Sequence, residues 1–203
     1  MGRKIGLTLE QVVEAAAEIA DRDGLDALSL ASVASTLGVR SPSLYKYVDG
    51  LPGLRRQLSM HASFLLASEL ADSIEGREAT EALRVTAEQL RSFALRRPGL
   101  YASFLPAPTP EEDPEVAAAL AEPVRVVGSV LAGMGIDSAT VVPLVRALRA
   151  SVHGFVDLEL RGGFGLADDI DDSFNTTVDL VIEAIAAHST TGREASTGPG
   201  TPS

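Results

Sequence analysis

Five polar side chains within one short stretch give this 203-residue chain the means to hydrogen-bond to a nucleic acid. They carry two hydroxyls, two phenols and one amine: Ser41, Ser43, Tyr45, Tyr47 and Lys46. Phosphate oxygens accept hydrogen bonds from such donors, whereas base edges are read by side chains that enter a groove. Arg40 and Lys46 can each reach guanine O6 and N7, and the Tyr45 ring can lie on a thymine methyl. Pro42 adds a flat apolar surface that can contact bases.

The residues before this set predict a short helix followed by a tight turn. Four apolar residues at helical spacing give that helix one buried face: Leu30, Val33, Ala34 and Leu37. Ser29 is placed to cap the helix at its start. Gly38 is placed to end it in the left-handed conformation.

A second helix is expected directly after this turn. Ser41 is placed to cap it, with Pro42 at the first helical position, and Leu44 and Val48 are expected to bury it. Its first turn should present free backbone N–H groups and a partial positive charge. Two helices joined by so few residues cross steeply, so the second can lie in a DNA major groove. An ordinary helical hairpin with solvated polar side chains is the alternative, and the agreement of caps, spacing and tyrosines favours the DNA interpretation.

Residues 8–58 resemble the DNA-binding domain of the TetR/AcrR family of one-component transcriptional regulators. The similarity runs through TLEQVVEAAAEIADRDGLDALSLASVASTLGV, RSPSLYKYV and LPGLRRQL. It implies contacts to phosphates or bases at seven positions: Ser29, Ser41, Pro42, Ser43, Tyr45, Lys46 and Tyr47.

Two positions depart from the family pattern. Ala31 stands where many members carry a basic residue in the first helix of the motif, so the resemblance implies that this base contact is absent. Leu51 stands where many members carry a Lys at the start of the next helix. Arg55 and Arg56 are the cations that could replace that phosphate contact.

The net charge of −11 is placed unevenly along the chain. Through Leu58 seven Lys and Arg residues balance seven Asp and Glu residues, so the rest of the chain carries the whole excess of acid. A neutral DNA-binding region with basic groups on its outer face can still meet phosphates at close range. We expect salt-sensitive binding of double-stranded DNA that is modest for one subunit, which favours a dimer reading two half-sites.

The remaining sequence predicts helices and no strands, so the fold class is expected to be all-α. The first helix should run from Leu9 to about Asp23, with a Thr8–Gln11 capping box, a buried stripe that begins at Leu9 and a stop at Gly24. Further helices are expected over about 51–74, 80–97, 113–134 with a bend at Pro123, 137–161 and 168–187, with a short helical piece over 100–105.

These elements suggest a three-helix DNA-binding domain over residues 1–50, a helical ligand-binding and dimerisation domain over 51–187 and a disordered tail over 188–203. The segment Met1–Leu7, with Arg3 and Lys4, is interpreted as either a frayed tail or an arm that enters the minor groove.

Residues 146–174 resemble a ligand-binding subfamily of the same regulators, often marked by a Trp-His-Gly tripeptide. His153 and Gly154 are present and Val152 replaces the Trp. In that group the last two long helices pack against their copies in a second subunit. Two apolar stripes fit such a homodimer, although an ordinary buried helix would look alike: Val152, Phe155, Val156 and Leu160, and then Phe174, Val178, Val181, Ile182 and Ile185.

A sensing pocket is expected among the helices between Leu51 and Leu160. Its candidate lining residues are mostly aromatic, with His61, His153 and Tyr101 as polar anchors. The full set is His61, Phe64, Phe93, Tyr101, Phe104, Met134, His153 and Phe155. Plain core packing is the alternative for each of them. The small-molecule effector is expected to be largely apolar or aromatic, because the interior offers few charges.

Other classes of protein fit the sequence less well. It contains no nucleophile–base pair at recognisable spacing, no HExxH or CxxC motif and no glycine-rich phosphate loop, so we expect neither an enzyme nor a cofactor. A metal sensor is disfavoured because carboxylates and His do not cluster. The absence of Cys and of long apolar runs leads us to expect a cytoplasmic protein with no membrane partner. An architectural DNA-binding protein without an effector is the main alternative, against which the long helical body argues.

Overall fold

The computed structural model describes residues 6–105 and 108–195, and describes side chains as far as Ser189. Over these ranges the chain contains helices and no strand, which confirms the all-α fold class. The α-helices are α1 Leu9–Asp23, α2 Leu30–Thr36, α3 Gly50–Ile74, α4 Ala79–Arg96, α5 Pro98–Ser103, α6 Pro114–Leu120, α7 Glu122–Gly133, α8 Ser138–Leu160 and α9 Ile170–Ala195. Two 3₁₀ helices are also present. One is a turn at Leu25–Ala27, and the other is Ser41–Lys46, at the position of the second helix of the predicted motif, which we call the reading segment.

The chain forms two compact units. The first unit contains the residues up to Leu66 together with Arg96–Glu122, and the second contains Ala67–Leu95 with the residues from Pro123 onward. The division into residues 1–50, 51–187 and 188–203 concerns function and stays a prediction. The N-terminal residues 1–5, including Arg3 and Lys4, lie outside the described residues.

Helix α1 begins and ends as its local chemistry predicts. The Thr8 side chain accepts from the Gln11 N–H at 3.2 Å, and the Gln11 side chain accepts from the Thr8 N–H at 3.0 Å. Gly24 follows the helix with a φ of 85°, in the region that favours glycine. The residues predicted to form the buried face of α1 are buried except for the first of them, Leu9, which is 36% exposed.

The end of α1 and the start of α5 approach each other closely. A Cβ on Gly99 would lie 2.1 Å from the carbonyl carbon of Ala20, so only glycine fits there. The Asp21 carboxylate accepts the backbone N–H groups of Gly99 at 2.9 Å and Leu100 at 3.0 Å, and it pairs with Arg97 at 2.5 Å. Asp21 therefore satisfies N–H groups that the first turn of α5 leaves without an intrahelical partner.

The second unit is held by packing of α8 on α9 and by a half-buried arginine from α4. The Arg91 guanidinium pairs with Glu159 at 2.6 Å and with Asp171 at 2.7 Å. It also lies 4.7 Å from the centre of the Phe174 ring and 5.9 Å from that of Phe155. One cation thus joins α4, α8 and α9 through ion pairs and cation–π contacts.

Two helix boundaries differ from the prediction. The helix expected over 113–134 is two helices, because the chain breaks at Ala121 and places Pro123 in the first turn of α7, where a missing N–H costs little. Helix α9 continues to Ala195, so residues 188–195 are helical and only 196–203 of the predicted tail lie outside the description. The Ser189 hydroxyl donates to the Met134 carbonyl at 2.8 Å, and a formed helix extends at little cost per residue.

Within the described ranges no helix alone has the length and composition to cross a membrane, and α6 and α7 pass that test only when counted together.

We predict that Gly99→Ala lowers the free energy of unfolding by about 1–3 kcal/mol, because its methyl group must displace the α1 backbone. Urea unfolding measures this change. Gly133→Ala is the matched control, since a Cβ there meets nothing within 4 Å. An alanine variant at position 99 as stable as the unmodified chain would mean that α1 and α5 do not approach this closely.

Candidate nucleic-acid interface

The first helix of the predicted helix-turn-helix motif is present. The Ser29 hydroxyl caps α2 by accepting from the Ser32 N–H at 3.0 Å, and the Ser32 side chain accepts from the Ser29 N–H at 3.0 Å. Val33 and Ala34 are buried, whereas Leu30 and Leu37 are only half-buried. Gly38 has a φ of 64°, so the turn after α2 uses the predicted left-handed glycine.

The reading segment is a 3₁₀ helix, where the sequence predicted an α-helix capped by Ser41. Arg40 occupies the cap position, and no side chain caps the segment. The Ser43 N–H donates to the Arg40 carbonyl at 2.8 Å, and Pro42 has no N–H. The expected row of free N–H groups is therefore reduced, because the tighter helix uses one of them within its first turn.

Two apolar anchors fix which residues of the motif face outward. Leu44 is fully buried and Val48 is 5% exposed, as predicted. Tyr45 is 64% exposed, and Arg40, Pro42 and Lys46 are also exposed. Ser41 and Ser43 are half-buried. These six residues lie on or beside the outward side of the reading segment, as the sequence predicted.

Tyr47 and Ser29 differ from the other predicted DNA contacts. Tyr47 is half-buried, and its hydroxyl donates to the Leu7 carbonyl at 2.6 Å. The Ser29 hydroxyl donates to the Ser32 hydroxyl at 3.0 Å. Each hydroxyl hydrogen is therefore engaged within the chain, and the contact of these two residues with DNA stays a prediction.

The cations of the first unit divide into paired and unpaired groups. Arg22 pairs with Asp23 at 2.6 Å. The side chains of Arg40 and Lys46 have no hydrogen-bond or ion-pair partner among the side chains and backbone that the structure describes. The two unpaired cations therefore lie at the two ends of the reading segment, Arg40 at its cap position and Lys46 as its last residue, where a phosphate could approach them.

Arg56 is already ion-paired, so it is not free to replace the contact missing at Leu51, whereas replacement by the exposed Arg55 stays a prediction. Arg55 donates to the Leu25 carbonyl at 3.2 Å. Arg56 pairs with Asp113 at 2.7 Å and with Glu115 at 2.6 Å. Arg56 donates hydrogen bonds to the Asp113 carboxylate, which lowers the pKa of Asp113 to about 2, and the same hydrogen bonds raise the pKa of Arg56.

A cavity of about 680 Å³ lies in the first unit, beside the segment that follows the reading segment. It is lined by Leu25, Asp49, Pro52, Gly53, Arg55, Arg56, Ser59, Ala102, Ser103, Pro108, Glu112, Asp113 and Val116. The Glu112 carboxylate accepts from the Thr109 N–H at 2.8 Å. Ser59 is 6% exposed, and its hydroxyl has no hydrogen-bond partner within the part of the chain that the structure describes. Most of the charge on the cavity wall is therefore engaged, while one buried hydroxyl is not.

None of the eight residues predicted to bind an effector lines this cavity. Four belong to the first unit, where Tyr101 and Phe104 meet edge to face at 5.4 Å, His61 lies 3.5 Å from Glu14, and Phe64 is 50% exposed. The other four belong to the second unit: Phe93, Met134, His153 and Phe155. Their role as a pocket stays a prediction.

The apolar stripes that were expected to form a dimer interface are mostly buried inside one chain. Among them Leu160 is 44% exposed and Val181 is half-buried, whereas the other seven are at most 8% exposed. Their burial follows from the packing of α8 on α9, which the sequence could not separate from packing on a second copy.

Sequence reasoning missed three groups near the candidate site: Asp21, Gly99 and the Leu7 carbonyl. Each acts through a partner far along the chain, and no local pattern signals such a partner. The glycine after Pro98 was the one available signal, because a glycine at a helix start often marks a close backbone approach.

The chain is similar in sequence to known proteins. Residues 83–181 match the family described as "Tetracyclin repressor-like, C-terminal domain". The uncharacterized HTH-type transcriptional regulator YobS of Bacillus subtilis (strain 168) is 32% identical over 179 residues, which cover 88% of this chain and 92% of YobS. The uncharacterized HTH-type transcriptional regulator Rv0681 of Mycobacterium tuberculosis (strain ATCC 25618 / H37Rv) is 34% identical over 186 residues, which cover 92% of this chain and 84% of Rv0681.

The fold also matches solved structures. A TetR variant from Acinetobacter baumannii AYE, solved in complex with minocycline, aligns with a TM-score of 0.68 and 22% identity. The alignment covers 90% of this chain and 98% of that one.

Proposed function

The chain belongs to the TetR family of helix-turn-helix transcriptional regulators, and we propose that it is a repressor released from its operator by a small molecule. The relatives are transcriptional regulators, which is a non-enzymatic role. The proposal includes binding as a homodimer, a cytoplasmic location and an effector that is largely apolar or aromatic.

The DNA-binding part of the proposal rests on one observation, which is the placement of the two unpaired cations. Arg40 and Lys46 are exposed at the two ends of the reading segment, whereas Arg22 and Arg56 are paired with carboxylates. An unpaired cation can neutralise a phosphate without first breaking an ion pair, and each such contact releases counterions. Within the proposed interface Tyr45 and Lys46 provide the main contacts, and Ser41, Pro42 and Ser43 approach the backbone beside them.

A dimer would place two reading segments in successive major grooves, about 34–36 Å apart. An effector can shift the chain off its operator if it binds a dimer with a different spacing of the reading segments more tightly than the DNA-bound one. A difference in binding free energy on the order of 1–3 kcal/mol is enough. The residues Asp49, Pro52 and Gly53 line the cavity and directly follow the reading segment, so a molecule in the cavity would contact the start of α3.

The cavity suits a small and mainly apolar molecule. Its volume of about 680 Å³ lies within the range typical of small-molecule sites. Leu25, Pro52, Ala102 and Val116 give it apolar walls, and the unpartnered Ser59 hydroxyl could hold one polar group. A regulator of the same fold was solved in complex with minocycline, which supports a small-molecule effector.

The proposed homodimer uses the outward faces of α8 and α9, because the predicted stripes are used inside the chain. On α8 the exposed residues Ala147, Ala150, Gly154 and Leu158 recur at helical spacing. A Cβ on Gly154 would meet nothing within 4 Å, so packing inside one chain does not require this glycine. Leu180 on α9 is 63% exposed. Assignment of the second unit to the Trp-His-Gly subfamily belongs to this proposal and rests on His153 and Gly154.

We predict that Tyr45→Ala and Lys46→Ala each abolish sequence-specific DNA binding and leave the fold intact. Both side chains are exposed, so their loss removes contacts to DNA and opens no cavity. Binding is measured by mobility shift with a duplex selected from a random library by the unmodified chain, and the fold by circular dichroism.

Arg161→Ala, which removes one exposed charge at the end of α8, is the control and should bind as the unmodified chain does. Specific binding that survives both substitutions at positions 45 and 46 would mean that the reading segment is wrongly assigned.

We predict that a thermal-shift screen of apolar and aromatic compounds finds ligands that raise the melting temperature. A ligand at 100 times its Kd stabilises the folded chain by about 2.7 kcal/mol. Ala102→Phe, which fills part of the cavity, should abolish that stabilisation, and Ala132→Phe on the exposed side of α7 should leave it unchanged. Stabilisation by no compound would favour an architectural DNA-binding protein.

We predict that the unmodified chain is a dimer by analytical ultracentrifugation and that Leu180→Glu makes it monomeric, because the carboxylate would be buried in an apolar interface. Leu166→Glu is the matched control, since Leu166 is 83% exposed and lies outside α8 and α9. A Leu180→Glu variant that stays dimeric would exclude this face as the interface.

A further inference from the structure

We propose that the cavity of the first unit binds a small amine, a molecule that carries one positively charged nitrogen on an apolar body. The inference rests on the proposed function, because it names the chemical class of the effector for that same cavity. Its basis is the charge on the cavity wall, together with a buried hydroxyl that has no partner among the described residues.

The ionisable groups of the cavity wall carry more negative than positive charge. Three carboxylates line the cavity, those of Asp49, Glu112 and Asp113. Two guanidinium groups oppose them, those of Arg55 and Arg56. A cleft with an excess of one charge and partly apolar walls concentrates a ligand of the opposite charge. The wall therefore favours a cationic ligand over an anionic one.

Arg56 adds little positive charge to the cavity, because two acids already offset it. Its guanidinium lies 2.7 Å from the Asp113 carboxylate and 2.6 Å from that of Glu115. The hydrogen bonds from Arg56 keep the pKa of Asp113 at about 2, so this carboxylate is ionised at neutral pH. An anionic ligand would have to displace a carboxylate from Arg56, whereas a cationic ligand can leave all three groups in place.

Asp49 is the carboxylate of the wall to which we assign the charged nitrogen. Its backbone carbonyl accepts the Gly53 N–H at 3.0 Å, in the first turn of α3. Its carboxylate is exposed and has no hydrogen-bond or ion-pair partner within the described part of the chain. Glu112 differs, since it accepts the Thr109 N–H at 2.8 Å. An ammonium group can therefore pair with Asp49 without breaking an existing contact.

Arg55 opposes such a ligand, which gives the proposal a second sign to test. The Arg55 side chain is exposed and donates to the Leu25 carbonyl at 3.2 Å, a neutral acceptor that leaves the positive charge in place. Loss of this charge should strengthen the preference for a cation, whereas loss of the Asp49 charge should weaken it.

The rest of the wall fits the body of an elongated amine. Leu25, Pro52 and Val116 provide apolar surface, and Ser59 is 6% exposed with an unpartnered hydroxyl. Ser59 follows the first residue of α3, Gly50, by nine positions, which is about 13 Å along the helix axis. A polar atom on the ligand body could satisfy that hydroxyl, whose lack of a partner costs free energy. The apolar part of the molecule then lies between the two polar groups.

The test measures binding to the full chain, without DNA, by isothermal titration calorimetry. The probes are 4-phenylbutylamine, 4-phenylbutan-1-ol and 4-phenylbutanoate, which have similar apolar bodies and carry a positive, a neutral and a negative end group. Asp49→Asn and Arg55→Gln each remove one charge from the cavity wall. Glu18→Gln is the control, because Glu18 is an exposed carboxylate of α1 that does not line the cavity. Thermal unfolding checks that each variant is folded.

The amine should bind more tightly than the alcohol, and the carboxylate should bind most weakly. Asp49→Asn should reduce the preference for the amine over the alcohol about 2- to 5-fold, the range for an ion pair at an exposed site. Arg55→Gln should increase that preference, and Glu18→Gln should leave it unchanged. Added salt should reduce it, because the ion pair is screened.

Equal affinity for the three probes, tighter binding of the carboxylate or no binding of any probe would overturn the proposal. A preference for the amine that Asp49→Asn leaves unchanged would also overturn it. Failure of the proposed function is distinguishable by mobility shift. In that case 4-phenylbutylamine would bind with the stated preference and yet leave the affinity of the chain for its selected duplex unchanged.

Discussion

Burial of one leucine determines the orientation of the whole candidate interface. The reading segment has only six residues, and its 3₁₀ hydrogen bonds are weaker in geometry than those of an α-helix. The segment therefore depends on tertiary contacts, and Leu44 is its one fully buried side chain. The Leu44 carbonyl also accepts the N–H groups of Tyr47 at 2.9 Å and Val48 at 3.1 Å. With Leu44 fixed inward, Tyr45 and Lys46 must point away from the core.

The distribution of charge explains how an acidic chain can meet DNA. In the first unit the Asp21 carboxylate is engaged by Arg97 and by two backbone N–H groups, and Asp113 is held by Arg56. These acids are neutralised by residues that lie away from the reading segment in sequence. The side chains of Arg40 and Lys46, in contrast, lie at the surface without a described partner. Charge at close range, and not the net charge of −11, then governs the approach of phosphates.

Features set by neighbouring residues could be predicted from the sequence. The predicted caps at Thr8 and Ser29 are present, because a capping hydrogen bond spans two or three residues, whereas the predicted Ser41 cap is absent because Arg40 occupies the cap position. Inward placement of Leu44 and Val48 followed from the same local periodicity.

Features set by distant partners could not be predicted. Nothing near Tyr47 in the sequence indicates that its hydroxyl meets Leu7, and nothing near Gly99 indicates contact with Ala20. The apolar stripes of α8 and α9 show the same limit, because the apolar pattern of a helix face is the same whether that face packs inside one chain or on a second copy. The cavity was missed because its walls come from several separate segments of the first unit.

Amide hydrogen exchange of the unmodified chain, with and without the selected duplex, tests the central claim most directly. The account requires slower exchange over residues 41–48 when DNA is bound, because the reading segment would then be covered by the duplex. Slower exchange confined to other parts of the chain, with residues 41–48 unchanged, would contradict it.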